Sequence, residues 1–161
     1  MVLLSPMRDE AFPAFFEQAV LLFASENVAA GRWTDVGSIE RSRLENEKLL
    51  ADGLATSGQF VFEIVATEHE HHVGYLWLAP MPRGSTKFAF VCQIFIRPEH
   101  RRRGYASAAL QAGERFALDQ GLSGIGLHVF AHNAGAQALY QALGYRVTSS
   151  NMFKSLRSSD A

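Results

Sequence analysis

The chain has 161 residues, 48% of them hydrophobic and 19% charged, with a formal net charge of −1 at neutral pH. This is ordinary globular composition, enough to bury a core as one domain over residues 1–161. The near-zero charge excludes a protein built chiefly to hold polyanions. A lone cysteine, Cys92, excludes an internal disulfide, and no apolar run reaches the roughly 18 residues of a membrane span.

A cytoplasmic location is expected, because the opening MVLLSPM lacks the basic lead and apolar length of a secretory leader. That stretch reads as a short first strand. Phe12, Phe15, Phe16, Ala19, Val20 and Phe23 then recur at helical spacing and give one apolar face. Pro13 suits this helix only if it begins near Asp9, with the proline in the first turn, and Gly31 ends the region. A second, heavily charged helix is expected from Asp35 to Ala51. Its core-facing residues would be Val36, Ile39, Leu44 and Leu50, with Gly53 closing it.

GQFVFEIVA and HHVGYLWLAP read as an antiparallel hairpin around the polar TEHEHH turn. KFAFVCQIFI, from Lys87 to Ile96, is apolar on both faces and reads as a central strand. A helix from Gly104 to about Gly121 follows, alanine-rich on its buried face, with Gly113 marking close packing on the sheet. GIGLHVF is a strand, AGAQALYQAL a helix and YRVTSSNMFKSL a final strand or hairpin. The order β-α-α-β-β-β-α-β-α-β predicts an α/β (α+β) fold: a mixed, mostly antiparallel central sheet with helices on both faces.

RPEHRRRGYASAAL, from Arg97 to Leu110, lies where the central strand hands over to a helix. At a helix start several backbone N–H groups lack an intrahelical acceptor, and the macrodipole adds partial positive charge. With Gly104 holding the turn open and Ala106 and Ser107 small behind it, a phosphate can approach those amides. The spacing Arg-x-x-Gly-x-Ala suits a pyrophosphate. In the competing reading, Gly104 only relieves a tight turn. The side chains of Arg101, Arg102 and Arg103 read as a solvated rim, since no interleaved aromatics support a nucleic-acid patch.

LHVFAHNAGAQALYQALGY, from Leu127 to Tyr145, supplies a second half. Asn133 is an N-cap, and Tyr140 lies seven residues on, about 20° around the helix and roughly 10 Å along its axis. The two point the same way, with Ala136 and Gln137 between them.

IFIRPEHRRRGYA, together with Val129, Asn133, Ala136, Leu139, Tyr140, Gly144 and Tyr145, resembles the GNAT superfamily of acyl-CoA-dependent N-acyltransferases. The resemblance spans Lys87 to Tyr145, and the element order extends it over nearly the whole chain. It implies acetyl-CoA as co-substrate. The backbone of Ile94, Phe95 and Ile96 would hold the pantetheine arm and acyl carbonyl like an added strand. Amides from the Arg101, Arg102, Arg103, Gly104, Tyr105, Ala106 and Ser107 turn would bind the pyrophosphate. Asn133 would contact the pantetheine, and Tyr140 would sit by the thioester sulfur as the acid that protonates it. Family habit allows a homodimer.

An alkyl ammonium near pKa 10.4 costs roughly 4 kcal/mol to deprotonate at neutral pH, so a base or a water relay is worth having. His128 is one candidate, with a structural histidine inside the sheet as its competing reading. Glu63 is another, with an exposed glutamate as the competing reading. Gln93 and Phe95 depart from the acidic residue that many family members carry on this strand. His69, His71 and His72, with Glu68 and Glu70, sit at a hairpin tip of poor ligand geometry, so no metal is expected. Cys92 is expected to be buried and inert. Trp33, Tyr75 and Trp77 stand open between core and acceptor pocket.

The expected activity is acetyl transfer to a primary amine by direct attack, with a small-molecule acceptor favoured over a protein N-terminus or lysine. A non-catalytic acyl-CoA sensor is the reading from another class. Neither nucleic acid nor membrane is an expected partner.

Overall fold

In the computed structural model, which describes residues 1–157, five strands form one sheet in the order β1-β2-β3-β4-β5. They are β1 (Val2–Pro6), β2 (Phe60–Ala66), β3 (His71–Arg83), β4 (Thr86–Ile96) and β5 (Ile125–Leu127). Neighbours pair antiparallel except β4 and β5, which are parallel. The helices are α1 (Phe12–Ala29), α2 (Ser38–Leu49), α3 (Tyr105–Asp119) and α4 (Ala134–Ala142). This is the expected mixed sheet with helices on both faces.

Strand alternation sorts the sheet's side chains onto two sides. Phe62, Ile64, Leu76, Leu78 and Val91 pack with Ala109 and Leu110 of α3. Gly113 lets α3 settle close, since a β-carbon built there would stand 3.1 Å from Leu76 Cδ2. On the other side Phe15 and Ala19 of α1 cover Val61, Tyr75 and Trp77. Phe15 meets Tyr75 and Trp77 edge-on, with ring centroids 4.7 and 5.9 Å away. Tyr75 and Trp77 are therefore core residues. Their polar atoms are satisfied, Trp77 Nε1 donating to Gln59 Oε1 at 2.7 Å.

Helix α1 starts as its proline requires, with a 3-10 turn at Asp9–Ala11 and Pro13 inside the first turn. Helix α2 does not bury the expected face. Val36, Ile39 and Leu44 are exposed, whereas Ser38, Ser42 and Asn46 are buried, and of the four expected residues only Leu50 joins the core. Small polar residues bring α2 close to α1, where the Ser42 hydroxyl donates to the Val20 carbonyl at 2.7 Å. Arg43 and Glu17 add an exposed two-pronged ion pair between the helices.

Two expected strands fall short. The strand predicted over 124–130 pairs with β4 only at Ile125, Gly126 and Leu127. The strand or hairpin expected over 145–156 is not formed, and residues 146–157 have no regular structure apart from a bend at Arg157. A strand is held by its neighbour's hydrogen bonds, and among the described residues neither 128–130 nor 145–156 has a strand paired with it. Nor is β4 central along its length. It has a strand on both sides only at Ala89–Val91.

Candidate active site

Trp77 pairs with Gln93 but Leu78 pairs with Val91, so Cys92 is the extra residue of a β-bulge in β4. Cys92 and Gln93 consequently lie toward α1 in succession, while Ile94 returns to the α3 side. Below the bulge β5 has ended. From Cys92 to Ile96 no strand pairs with the outer edge of β4 among the described residues, and the groups on that edge face a gap, apart from the Ile96 carbonyl. Burial pushes the Cys92 thiol up to about 12, which keeps it protonated and inert.

This open edge leads into the arginine-glycine turn. Arg102 and Gly104 adopt left-handed backbone, with φ of 62° and 79°, and Gly104 caps α3. The first helical amide to find its acceptor is Ala108, on the Gly104 carbonyl at 3.0 Å. Among the described residues, no protein acceptor meets the amides of Arg102, Arg103, Gly104, Tyr105, Ala106 or Ser107. Nothing lies within 4 Å of a β-carbon built on Gly104, so its backbone conformation, not crowding, calls for glycine. Gly104 thus relieves the turn, and the same turn leaves a row of free amides. Arg102 and Arg103 are exposed at the rim. Arg101 is exposed too but folds back onto β4. Its Nε donates to the Ile96 carbonyl at 2.9 Å and its guanidinium lies 5.7 Å from the centre of the Phe95 ring.

Helix α4 forms the far wall. Asn133 caps it, Oδ1 accepting from the Ala136 amide at 3.1 Å, and Gln137 donates to the Phe130 and Ala131 carbonyls. Tyr140 is half-buried and packs on the same core cluster as Ile94 and Ile96 of β4. Burial, reinforced by the charge of Glu26, holds its hydroxyl protonated to higher pH than a free tyrosine.

Glu26 was not legible as a site residue. It lies seven residues after Ala19 and eleven after Phe15, which continues the sheet-facing stripe of α1. It is half-buried, and its charge acts on Tyr75 and Tyr140. Burial raises its own carboxyl pKa, and His132 opposes this. The available signal was a carboxylate interrupting an otherwise apolar helix face. The turn that follows α1 meets the loop after β5, where Arg32 sits 5.9 Å from the Phe130 ring centre.

The other candidate bases are separated from each other. His128 is exposed just beyond β5, its ring 4.6 Å from Phe130. Glu63 is on β2, three strand spacings or roughly 14 Å across the sheet. It is not an exposed glutamate: it is 5% exposed. Burial pushes its pKa up, but hydrogen bonds from Arg8 at 3.0 and 3.2 Å and the neighbouring His72 outweigh this and leave it lowered. His72 Nδ1 lies 3.1 Å from Glu63 Oε1. No group of three or more metal-ligating side chains occurs among the described residues.

Gln93 replaces an acid for a visible reason. Its Oε1 accepts from the Tyr75 hydroxyl at 2.8 Å while its Nε2 donates to the Ala19 carbonyl at 3.2 Å. It joins β3, β4 and α1, and a carboxylate has no proton for the second bond.

The sequence model of the Acetyltransferase (GNAT) family matches residues 25–145. The chain belongs to the GNAT acetyltransferase family. As a GNAT protein it is an acyl-CoA-dependent acyltransferase. It is 35% identical to the uncharacterized N-acetyltransferase YdgE of Bacillus subtilis, over 95% of this chain and 97% of that one. It is 32% identical to YycN of the same organism, over 96% and 99%. The crystal structure of YycN superposes on this GNAT fold with a TM-score of 0.90, covering 98% of this chain and all of that one, at 31% identity.

Proposed function

We propose that this chain is one GNAT-like domain that transfers an acetyl group from acetyl-CoA directly to a primary amine, both being bound together. The observation that carries the reading is the continuity of two unsatisfied surfaces. The edge of β4 from Ile94 to Ile96, which no strand pairs among the described residues although Arg101 takes the Ile96 carbonyl, runs into the free amides from Arg102 to Ser107. An extended amide-containing arm that ends in a pyrophosphate fits that pair. When bound, acetyl-CoA supplies the activated acyl group.

The chain's own groups would do the rest. Unpaired amides of β4 would hold the acyl oxygen. Tyr140, kept protonated, would give its proton to the departing sulfur. Asn133 would position the pantetheine. His128, exposed beyond β5, would take the proton from the amine, and Glu26 would attract the amine as an ammonium into the gap. A half-buried carboxylate facing this end supports a cationic acceptor, and we assign the acceptor to the small-molecule amines. The expected cytoplasmic location belongs to the same reading.

The test is thermal melting with acetyl-CoA, free CoA, NAD and a short DNA duplex. A ligand at 100 times its Kd stabilises by about 2.7 kcal/mol. A rise with acetyl-CoA and CoA alone, followed by thiol release with some primary amines but not peptides, is the expected result. No rise with either overturns the cofactor assignment, and binding with no thiol release for any amine turns the reading to a sensor.

A further inference from the structure

Among the described residues Glu63 is the only buried acid, and the transfer proposed above gives it no task. It lies in a cross-strand row, pairing with Tyr75 as Tyr75 pairs with Phe95. Its neighbours on that side are aromatic. Tyr75 and Phe95 stack with ring centres 5.3 Å apart, and Phe15 closes over Tyr75. A fold gains little from an ion pair in such a row, since apolar side chains of similar volume serve as well or better.

What the carboxylate does is hold Arg8. Arg8 Nε donates to Oε2 at 3.0 Å and Nη2 to Oε1 at 3.2 Å, a two-pronged grip on one edge of the guanidinium. The group has five N–H donors fixed in a plane. Those on Nη1 and the second on Nη2 find no protein acceptor among the described residues. The Arg8 side chain is 60% exposed. An arginine pinned along one edge and open along the next is set to fork a second carboxylate.

Arg8 and Glu63 line a cavity of about 620 Å³ under the start of α1, the size of a small-molecule site. Phe15, Tyr75 and Phe95 give it an apolar surface. Arg97 and His100 border it from the turn after β4, and Arg97 has no ion-pair partner among the described residues. His72 borders it from β3, its Nδ1 buried without a hydrogen-bond partner although Glu63 Oε1 lies 3.1 Å away. Two acids, Glu70 and Glu99, stand exposed at the same cavity, where water screens them. Neither Glu26, His128 nor Tyr140 borders it.

We propose that this cavity is a second ligand site, which takes a small carboxylate with a flat apolar body. The carboxylate forks onto the free edge of Arg8 and reaches Arg97, while the body lies against Phe15, Tyr75 and Phe95. Glu63 orients Arg8 for this and does not touch the ligand's charge. Phe95 and Arg97 lead into the arginine-glycine turn, so the ligand stands behind the cofactor strand rather than in the acceptor gap.

The experiment is a titration of the isotope-labelled full chain with phenylacetate, phenylalanine and phenethylamine, followed by its backbone amide signals. Phenylacetate is expected to shift residues 71–75 and 95–100 saturably and to leave 128–133 in place. Phenylalanine keeps the carboxylate and should do the same, whereas phenethylamine lacks it and should leave 71–75 and 95–100 unmoved. Arg8→Lys keeps the charge beside Glu63 but loses the fork, and should weaken phenylacetate at least roughly tenfold. Arg97→Gln, at an exposed position, should weaken it roughly fivefold and carries the test if the Arg8 variant fails to fold. No shift with either carboxylate, shifts centred on 128–133, equal binding of phenethylamine, or unchanged affinity in a folded variant overturns the proposal. None of these readouts needs acetyl-CoA, so failure of the proposed activity leaves the result interpretable.

Discussion

Gly74 and Phe95 stand so close across β3 and β4 that a β-carbon on Gly74 would lie 1.9 Å from the Phe95 carbonyl oxygen. The contact is with backbone, on the segment we assign to the pantetheine arm. Gly74→Ala must push β4 aside and is expected to cost about 3 kcal/mol, the upper end of overpacking penalties. Denaturant unfolding measures the loss, and CoA affinity should weaken with it. A variant of unchanged stability and affinity would show that β4 has slack here.

Gly104→Glu has room for its side chain and meets only the modest strain of a left-handed residue. It is expected to keep the fold and to lose at least roughly tenfold in CoA affinity, or about 1.4 kcal/mol, because it adds negative charge beside the free amides. Gly104→Ala carries the same backbone strain without the charge and should bind more tightly than the glutamate. Equal affinities in a calorimetric titration count against the amide cradle.

Tyr140→Phe is expected to lower kcat roughly 100-fold or more while CoA affinity stays within about twofold. A variant of full activity removes Tyr140 as the acid. His128→Ala should matter most below the acceptor's own pKa. A constant ratio of wild-type to variant rates from about pH 6 to 10 removes His128 as the base.

Glu26→Gln should stabilise the protein and impair it. A carboxyl whose pKa is raised on folding binds its proton more tightly folded than unfolded. Its presence therefore costs stability once the pH rises above the unfolded value near 4.3 and through the raised folded value. At neutral pH the glutamine should raise the Tm and raise KM for the amine. A lowered Tm with unchanged KM marks Glu26 as structural.

The order of elements as far as α4 was legible because each carries a strong local pattern, as in the Phe15-to-Phe23 face of α1 and the apolar Lys87-to-Ile96 run. The turn at Gly104 and the cap at Asn133 were legible because backbone chemistry restricts the residue types that fit there. The inner face of α2 was not, because serine and asparagine pointing at a helix backbone look like serine and asparagine pointing at water. Glu63 was misread for a related reason. Whether a carboxylate is exposed depends on Arg8, fifty-five residues away, folding over it. Glu26 was missed because a single charge on a helix attracts notice only once its stripe is known to face a cleft.

The bulge at Cys92 has one more effect. A strand with one residue more than its neighbour seats in a single register, because any slide moves the surplus residue against a regular stretch of β3. The extra residue acts as an index mark. It sets the phase of Gln93 through Ile96 independently of the strand above, and deleting Cys92 should leave a regular strand still in register with β3 on both sides of the cut, losing the local bend without turning any side chain over.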